Sequence, residues 1–297
     1  MKLKNVALSL MLTGSMFAVG CDDDDGGTDT STTQSGTTVI ASCDAPGDEA
    51  AVKFALTTLK LPSESSGIGF NIDGSTKDNV CGIPDARNGV DNSLAGLLSS
   101  VADLTADLGI DIPGALQEVV TTGALDLDIE LVGWNGTAND SCVGVRISGQ
   151  SGGEDIAVIS GRAPLANGAI AGVKFDNALT FDASFEIEGE PATLAIAIQN
   201  LSARIQLNSE RTAIVEGTNN NNASFVAGHV VYQGALRDSL VTLIAGLGAG
   251  LDATTLDNVV SDYLDLKPQG TGYDLNCREG QGTSLSIGLQ IAASAAE

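Results

Sequence analysis

From Ala124 onward the apolar residues fall on every second position. The segment ALDLDIELVG, 124–133, places Leu125, Leu127, Ile129 and Leu131 on one face and Asp126, Asp128 and Glu130 on the other. Successive side chains of a strand point to opposite faces, so this alternation means one buried face and one wet face, as in antiparallel sheet. LTFDASFEIEG, 179–189, repeats the pattern with Phe181, Phe185 and Ile187 inward. LAIAIQ, LSARIQL and the terminal SLSIGLQI alternate as well, as do shorter runs near 143–148, 156–160, 169–175 and 224–232.

Helical spacing appears elsewhere. DEAAVKFALTTLKL, 48–61, reads as a helix with an acidic start, stopped by Pro62. In SLAGLLSSVADLTADL, Leu94, Leu97, Leu98, Val101 and Leu104 form one apolar stripe, with Asp91 as the expected N-cap. Pro113 opens a shorter helical turn reaching Thr121, and two more helices are predicted near 235–247 and 252–266. The fold class is therefore α+β: a large antiparallel sheet packed against a few amphipathic helices. Aromatic residues make up 4% of the chain, so the core must be built of Leu, Ile, Val and Ala. Residues 41–297 fit one domain, with a helix and Asp/Asn loop over 41–122 and a sheet-rich part over 123–297.

The chain opens MKLKN, continues VALSLMLTGSMFAVG and reaches Cys21. Two lysines, a short apolar run and small residues before the cut are the marks of a secretory signal peptide. The run is shorter than the roughly 20 apolar residues a spanning helix needs. Ala18-Val19-Gly20-Cys21 resembles the lipobox of bacterial lipoproteins, although leucine is commoner where Ala18 stands. The resemblance implies removal of residues 1–20 and lipidation of Cys21. Asp22 to Thr38 has no large apolar residue before Val39, so residues 21–40 read as a lipidated, disordered acidic tether. The expected partner is thus a membrane, held through the N-terminal lipid, with the protein on the non-cytoplasmic side of a bacterial envelope, periplasmic or surface-exposed.

With 14 basic against 38 acidic residues the formal charge is −24. Nucleic-acid binders present basic patches, so this balance excludes nucleic acid as a partner. Beyond Cys21 four cysteines remain: Cys43, Cys81, Cys142 and Cys277. An even number in an exported chain predicts two disulfides, and no CxxC pair suggests zinc or redox chemistry. Three pairings are open. Cys43–Cys81 with Cys142–Cys277 is favoured because the first bridge would pin the tether to the Asp/Asn loop.

That loop, GFNIDGSTKDNVCGIPDARNGVDNSL, holds oxygen ligands of the kinds calcium takes: Asn71, Asp73, Asp78, Asp85 and Asp91. The EF-hand spacing fails, since position 12 counted from Asn71 is Gly82. The competing reading is structural: turns, a helix cap and a disulfide staple. From Gly67 to Leu98 the arrangement resembles that of uncharacterised lipoproteins of myxobacteria-type envelopes, a resemblance that carries no activity. Catalysis is poorly served. His229 is the one histidine, and it stands in a strand-like run. The GxSxG match at 149–153 is followed by Glu154-Asp155 and a strand, which makes it a hairpin turn rather than a nucleophile elbow. GLGAGL, 246–251, lacks the spacing and lysine of a phosphate loop. The sequence reading is a non-catalytic envelope lipoprotein that binds a protein, glycan or ion or has a structural role, with calcium as a candidate stabiliser. The alternative is a carrier of an apolar lipid ligand, lined by the helices bearing Leu94–Leu104 and Leu236–Ile244; a hydrolase is the remotest reading.

Overall fold

The computed structural model describes residues 50–63, 66–75, 80–85, 89–104, 112–187, 190–246 and 252–296. The alternating segments form strands, as the period predicts: β2 (Leu125–Val132), β3 (Asp140–Ser151), β5 (Ile159–Leu165), β6 (Ala169–Lys174), β7 (Leu179–Ile187), β8 (Glu190–Gln206), β10 (Phe225–Val231) and β13 (Ser284–Ala295); two-residue strands β4 (Glu154–Asp155) and β9 (Ala213–Ile214) add to them. Two short strands, β11 (Pro268–Gln269) and β12 (Gly272–Tyr273), form a separate hairpin. The helices are α1 (Ser93–Leu104), α2 (Ile112–Thr121), α3 (Ala235–Gly246) and α4 (Ala253–Ser261).

One predicted helix is a strand. Residues 48–61 contain β1 (Ala51–Lys60), which pairs antiparallel with β2 and β13. The ladder with β13 slips between Leu56↔Ala293 and Thr58↔Ala292, leaving Thr57 as an extra residue. That bulge shifts the inward phase, so Phe54 and Leu59 are both buried although five positions apart, with Leu56 partly buried between them. A bulged strand thereby imitates the apolar spacing of a helix, and the sheet begins before residue 123.

The main sheet runs β4-β3-β2-β1-β13-β10-β8-β6, with β5 beside β3, β7 beside β8 and β9 beside β13. Its two ends approach each other through β5 and β6. The Ser160 carbonyl accepts from the Asp176 N–H at 3.0 Å, and Ala166 and Ala169 exchange backbone bonds at 2.9 and 3.0 Å. At Gly161 a Cβ would lie 2.2 Å from the Lys174 carbonyl oxygen, so only glycine lets the strands come this close. The sheet thus curls around its core. Leu94, Leu97 and Leu98 of α1 and Leu236, Leu240 and Leu243 of α3 are buried in that core with Leu127, Ile129, Val145, Ile205, Leu285 and Ile287. On the other face of β2, Lys53 pairs with Asp128 at 2.6 Å and Arg146 with Glu130, so the acidic wet face is partly neutralised across the strands.

The disulfide framework differs from the favoured pairing. Cys81 bonds Cys277, with Cα atoms 4.5 Å apart and 196 positions between them. This excludes both Cys43–Cys81 and Cys142–Cys277. Cys142 is also disulfide-bonded, and Cys43 lies outside the described residues. The tight turn at Val80–Gly82 explains the pairing: it rests directly on the segment after β12, where the Cys81 N–H bonds the Cys277 carbonyl at 3.2 Å. Gly82, at φ +86°, has the Glu279 Cα 2.8 Å from where its own Cβ would be. Nearness in space set this bridge, and nearness in sequence did not.

Candidate ligand-binding cleft

On the outer face of the curled sheet, the Asp/Asn loop and the β11–β12 hairpin stand as two walls over β6, β8 and β10. Between them lies a cleft of about 420 Å³, near the lower end of the range for small-molecule sites. One wall is Phe70, Ile72, Asp73 and Gly74; the other is Thr271, Gly272 and Tyr273. Lys174, Phe175, Asn200, Ser202 and Ala227 contribute to the floor.

The floor is shaped by two bulges. The β10–β8 ladder slips between Ala227↔Ser202 and His229↔Gln199, so Asn200 and Leu201 together face Gly228. Asn200 has φ +48°, a left-handed conformation that is uncommon for a residue with a side chain. Bulges and such backbone outliers gather at binding and catalytic sites, where they redirect a side chain. The β6–β8 ladder slips beside it, between Ile170↔Ile205 and Val173↔Ala203. Gly172 in that slip has the Phe70 ring 3.8 Å from the place of a Cβ, so the first wall closes down on bare backbone.

The first wall is held by the carboxylate of Asp91, which is 3% exposed. Its Oδ2 accepts from the Ile72 N–H at 2.5 Å and the Asp73 N–H at 3.1 Å. The expected helix cap is therefore turned back into the loop instead. Burial pushes the Asp91 carboxyl up to about 8, reinforced by the charges of Asp73 and Asp265 and opposed by its bond from the Asp73 backbone. Asp73 is raised by burial too, against the 2.7 Å bond that its Oδ1 accepts from the Ser75 N–H. The Phe70 ring meets Phe225 edge-on with centroids 4.6 Å apart, which seats the wall on β10.

The second wall is held by His229. Its Nδ1 is 2.8 Å from the Tyr273 hydroxyl, and the rings are T-shaped. Asn200 lies near enough to Tyr273 to favour its ionised form, against burial. The histidine is 1% exposed, and burial depresses its pKa to about 4. It is a neutral positioning group in a strand. Burial pushes the tyrosine up to about 12, aided by the nearby Asp91, Asp265 and Asp73.

Beneath both walls the sheet has a notch. Strand β1 reaches β13 only from Gln290 onward, so the outward N–H groups of Ser286 and Gly288 find no strand partner there. Side chains take the strand's place. Asp265 accepts from the Ser286 N–H at 2.8 Å, from Ser93 Oγ at 2.8 Å and from Ser286 Oγ; Asn92 Oδ1 accepts from the Gly288 N–H at 3.0 Å. Burial raises Asp265 to about 6 despite these bonds. Chain 92–93 enters here from the outer loop, so that α1 lies on the core side.

Of the five candidate calcium ligands, Asp73 lines the cleft and Asp91 lies under it. Asp85 Oδ2 and Asn71 Nδ2 both approach Gly89, and Asn71 Nδ2 donates to the Ser75 carbonyl at 2.6 Å. Asp78 lies outside the described residues, as do Cys21 and 247–251 of the glycine-rich run. Among the described residues no group of three or more His, Cys, Asp or Glu side chains is placed to hold a metal ion. Ser151 ends β3 at a two-residue hairpin with Gly152 at φ +60° and Gly153 at φ +85°, and its hydroxyl accepts from the Asp182 N–H. Lys174, Phe175, Asn200 and Tyr273 escape a reading of motifs. Asn200 leaves one signal, since the buried positions shift from 194, 196 and 198 to 201, 203, 205 and 207 on either side of it. Compared with known proteins, the chain matches no family model, no curated protein and no solved structure.

Proposed function

We propose that this chain is a non-catalytic lipoprotein of the bacterial envelope, tethered through Cys21, whose folded part binds a small ligand in the cleft between the Asp/Asn loop and the β11–β12 hairpin. The observation that carries the reading is the cleft lining at Asn200: a residue in left-handed backbone at a bulge, opposite a tyrosine that a buried histidine holds in place. The carrier alternative is less well supported, because the leucines of α1 and α3 that would line its cavity are buried in the common core. Among the described residues no helix is long and apolar enough to cross a membrane.

The cleft is tested by saturation-transfer NMR on the full chain in detergent micelles against a chemically mixed library of small fragments. Fragments that bind the native chain and lose their signal with Asn200→Gly are the expected result. Glycine suits the left-handed backbone, so this variant removes the side chain without adding strain. A library with no Asn200-dependent binder would reject the cleft. For the tether, Cys21→Ala should move the protein from the membrane to the soluble fraction; unchanged metabolic lipid labelling would reject Cys21 as the anchor.

A further inference from the structure

We infer that the cleft takes an uncharged sugar residue of a glycan, an inference that rests on the cleft being the binding site. Its lining is divided in the way a pyranose is divided. Phe70 and Phe175 offer apolar surface for a ring's C–H face, while Asp73, Lys174, Asn200 and Tyr273 offer acceptors and donors for the sugar's hydroxyl groups. An acyl chain would strip water from those four polar groups without replacing its hydrogen bonds, which is unfavourable.

Charge removes the other small ligands. An anion would meet the Asp73 side chain in a chain of formal charge −24. A cation would find that carboxylate but would share the cleft with the Lys174 ammonium. A neutral polyol meets neither penalty and uses both groups as hydrogen-bond partners, and bonds to charged partners are the stronger kind. The polar groups are also preorganised. The Asn200 backbone is fixed by its bulge, Tyr273 by His229, and Asp73 by its bonds to Ser75 and Asp91. A rigid set of donors and acceptors at the end of a flexible lipid tether suits a fixed glycan surface, where many weak contacts add up. The cleft volume suits roughly one or two pyranose rings rather than a long enclosed chain.

The test is a titration of the full chain in micelles with methyl glycosides of glucose, galactose, mannose and N-acetylglucosamine. Choline, glycine and inorganic phosphate run alongside, all read by saturation-transfer NMR or calorimetry. At least one glycoside should bind saturably, with a Kd of about millimolar, and weaken roughly tenfold or more in Asn200→Gly and in Tyr273→Phe. One variant alters the floor and the other a wall, so if one disturbs folding the other still decides. Asn200-dependent binding of choline, glycine or phosphate without any glycoside would overturn the sugar assignment while leaving the cleft as a site. Glycoside binding that neither variant weakens would overturn the placement, and no binding by any probe or fragment would reject sugar and cleft together.

Discussion

Replacing both Cys81 and Cys277 with alanine should lower the free energy of unfolding by about 5 kcal/mol. The bridge spans 196 positions, and loop-closure entropy in the unfolded chain grows with the logarithm of that length. For a domain of this size the melting temperature should fall by roughly 10–20 °C. The double variant leaves no stray thiol, and its midpoint in a denaturant titration is the measurement. A shift of under about 1 kcal/mol would mean that the unfolded chain is already held together in the absence of this bridge. The bridge also joins the two walls of the cleft, the loop through Cys81 and the segment after β12 through Cys277. The variant should therefore lose cleft binding at temperatures where its sheet is still folded.

Stability should fall as pH rises from 4 to 8, the reverse of the usual behaviour of a protein rich in ion-paired carboxylates. Asp91 is raised from 3.8 to about 8 and Asp265 from 3.8 to about 6, so the folded state holds protons that the unfolded state has released. Each such group lowers stability by about 1.4 kcal/mol per pH unit between its unfolded and folded values. His229 acts in the opposite sense, since its depression from 6.5 to about 4 makes the unfolded state the better proton binder in that window. From pH 4 to 6 the two carboxyls outweigh the one histidine. Above 6.5 the histidine no longer contributes and Asp91 remains, so the decline continues to about 8. The sum is on the order of 5 kcal/mol across the whole range. Groups facing Asp91 that enter the balance are Asp73, Asp85 and Asp265. Asp91→Asn keeps an acceptor for the Ile72 and Asp73 N–H groups but cannot titrate, so its stability should be flat from 6.5 to 8. A native chain that is flat or gains stability over that interval would show that those two backbone bonds outweigh burial and keep Asp91 ionised.

Both predictions turn on contacts between parts of the chain far apart in sequence, and that divides what the residues announce from what they conceal. Period two in 124–133 and 179–189 specifies strands with a defined inward face, because a slip of one residue would put every leucine in water. The stripe Leu94–Leu97–Leu98 specifies a helix for the same reason. Where a bulge interrupts the period, the local pattern misleads. Thr57 makes β1 look helical, and the phase shift at Asn200 looks like a gap between two strands when it is a bend in the single strand β8.

The α+β class, the position of most strands, the α1, α2, α3 and α4 helices and the hairpin at Ser151 are legible in the residues alone, since each depends on side-chain period or turn residues within a short window. Which cysteine meets Cys81, which carboxylates share the space under the loop and which residues frame the cleft follow from the three-dimensional packing. These rest on strand order: β1, from the chain's beginning, pairs with β13, from its end, and stops short of Ser286. The notch this leaves is filled by Asn92, Ser93 and Asp265, drawn there by unpaired backbone N–H groups that burial would otherwise leave without partners. No local periodicity encodes that demand, because it arises only when distant strands have found their register.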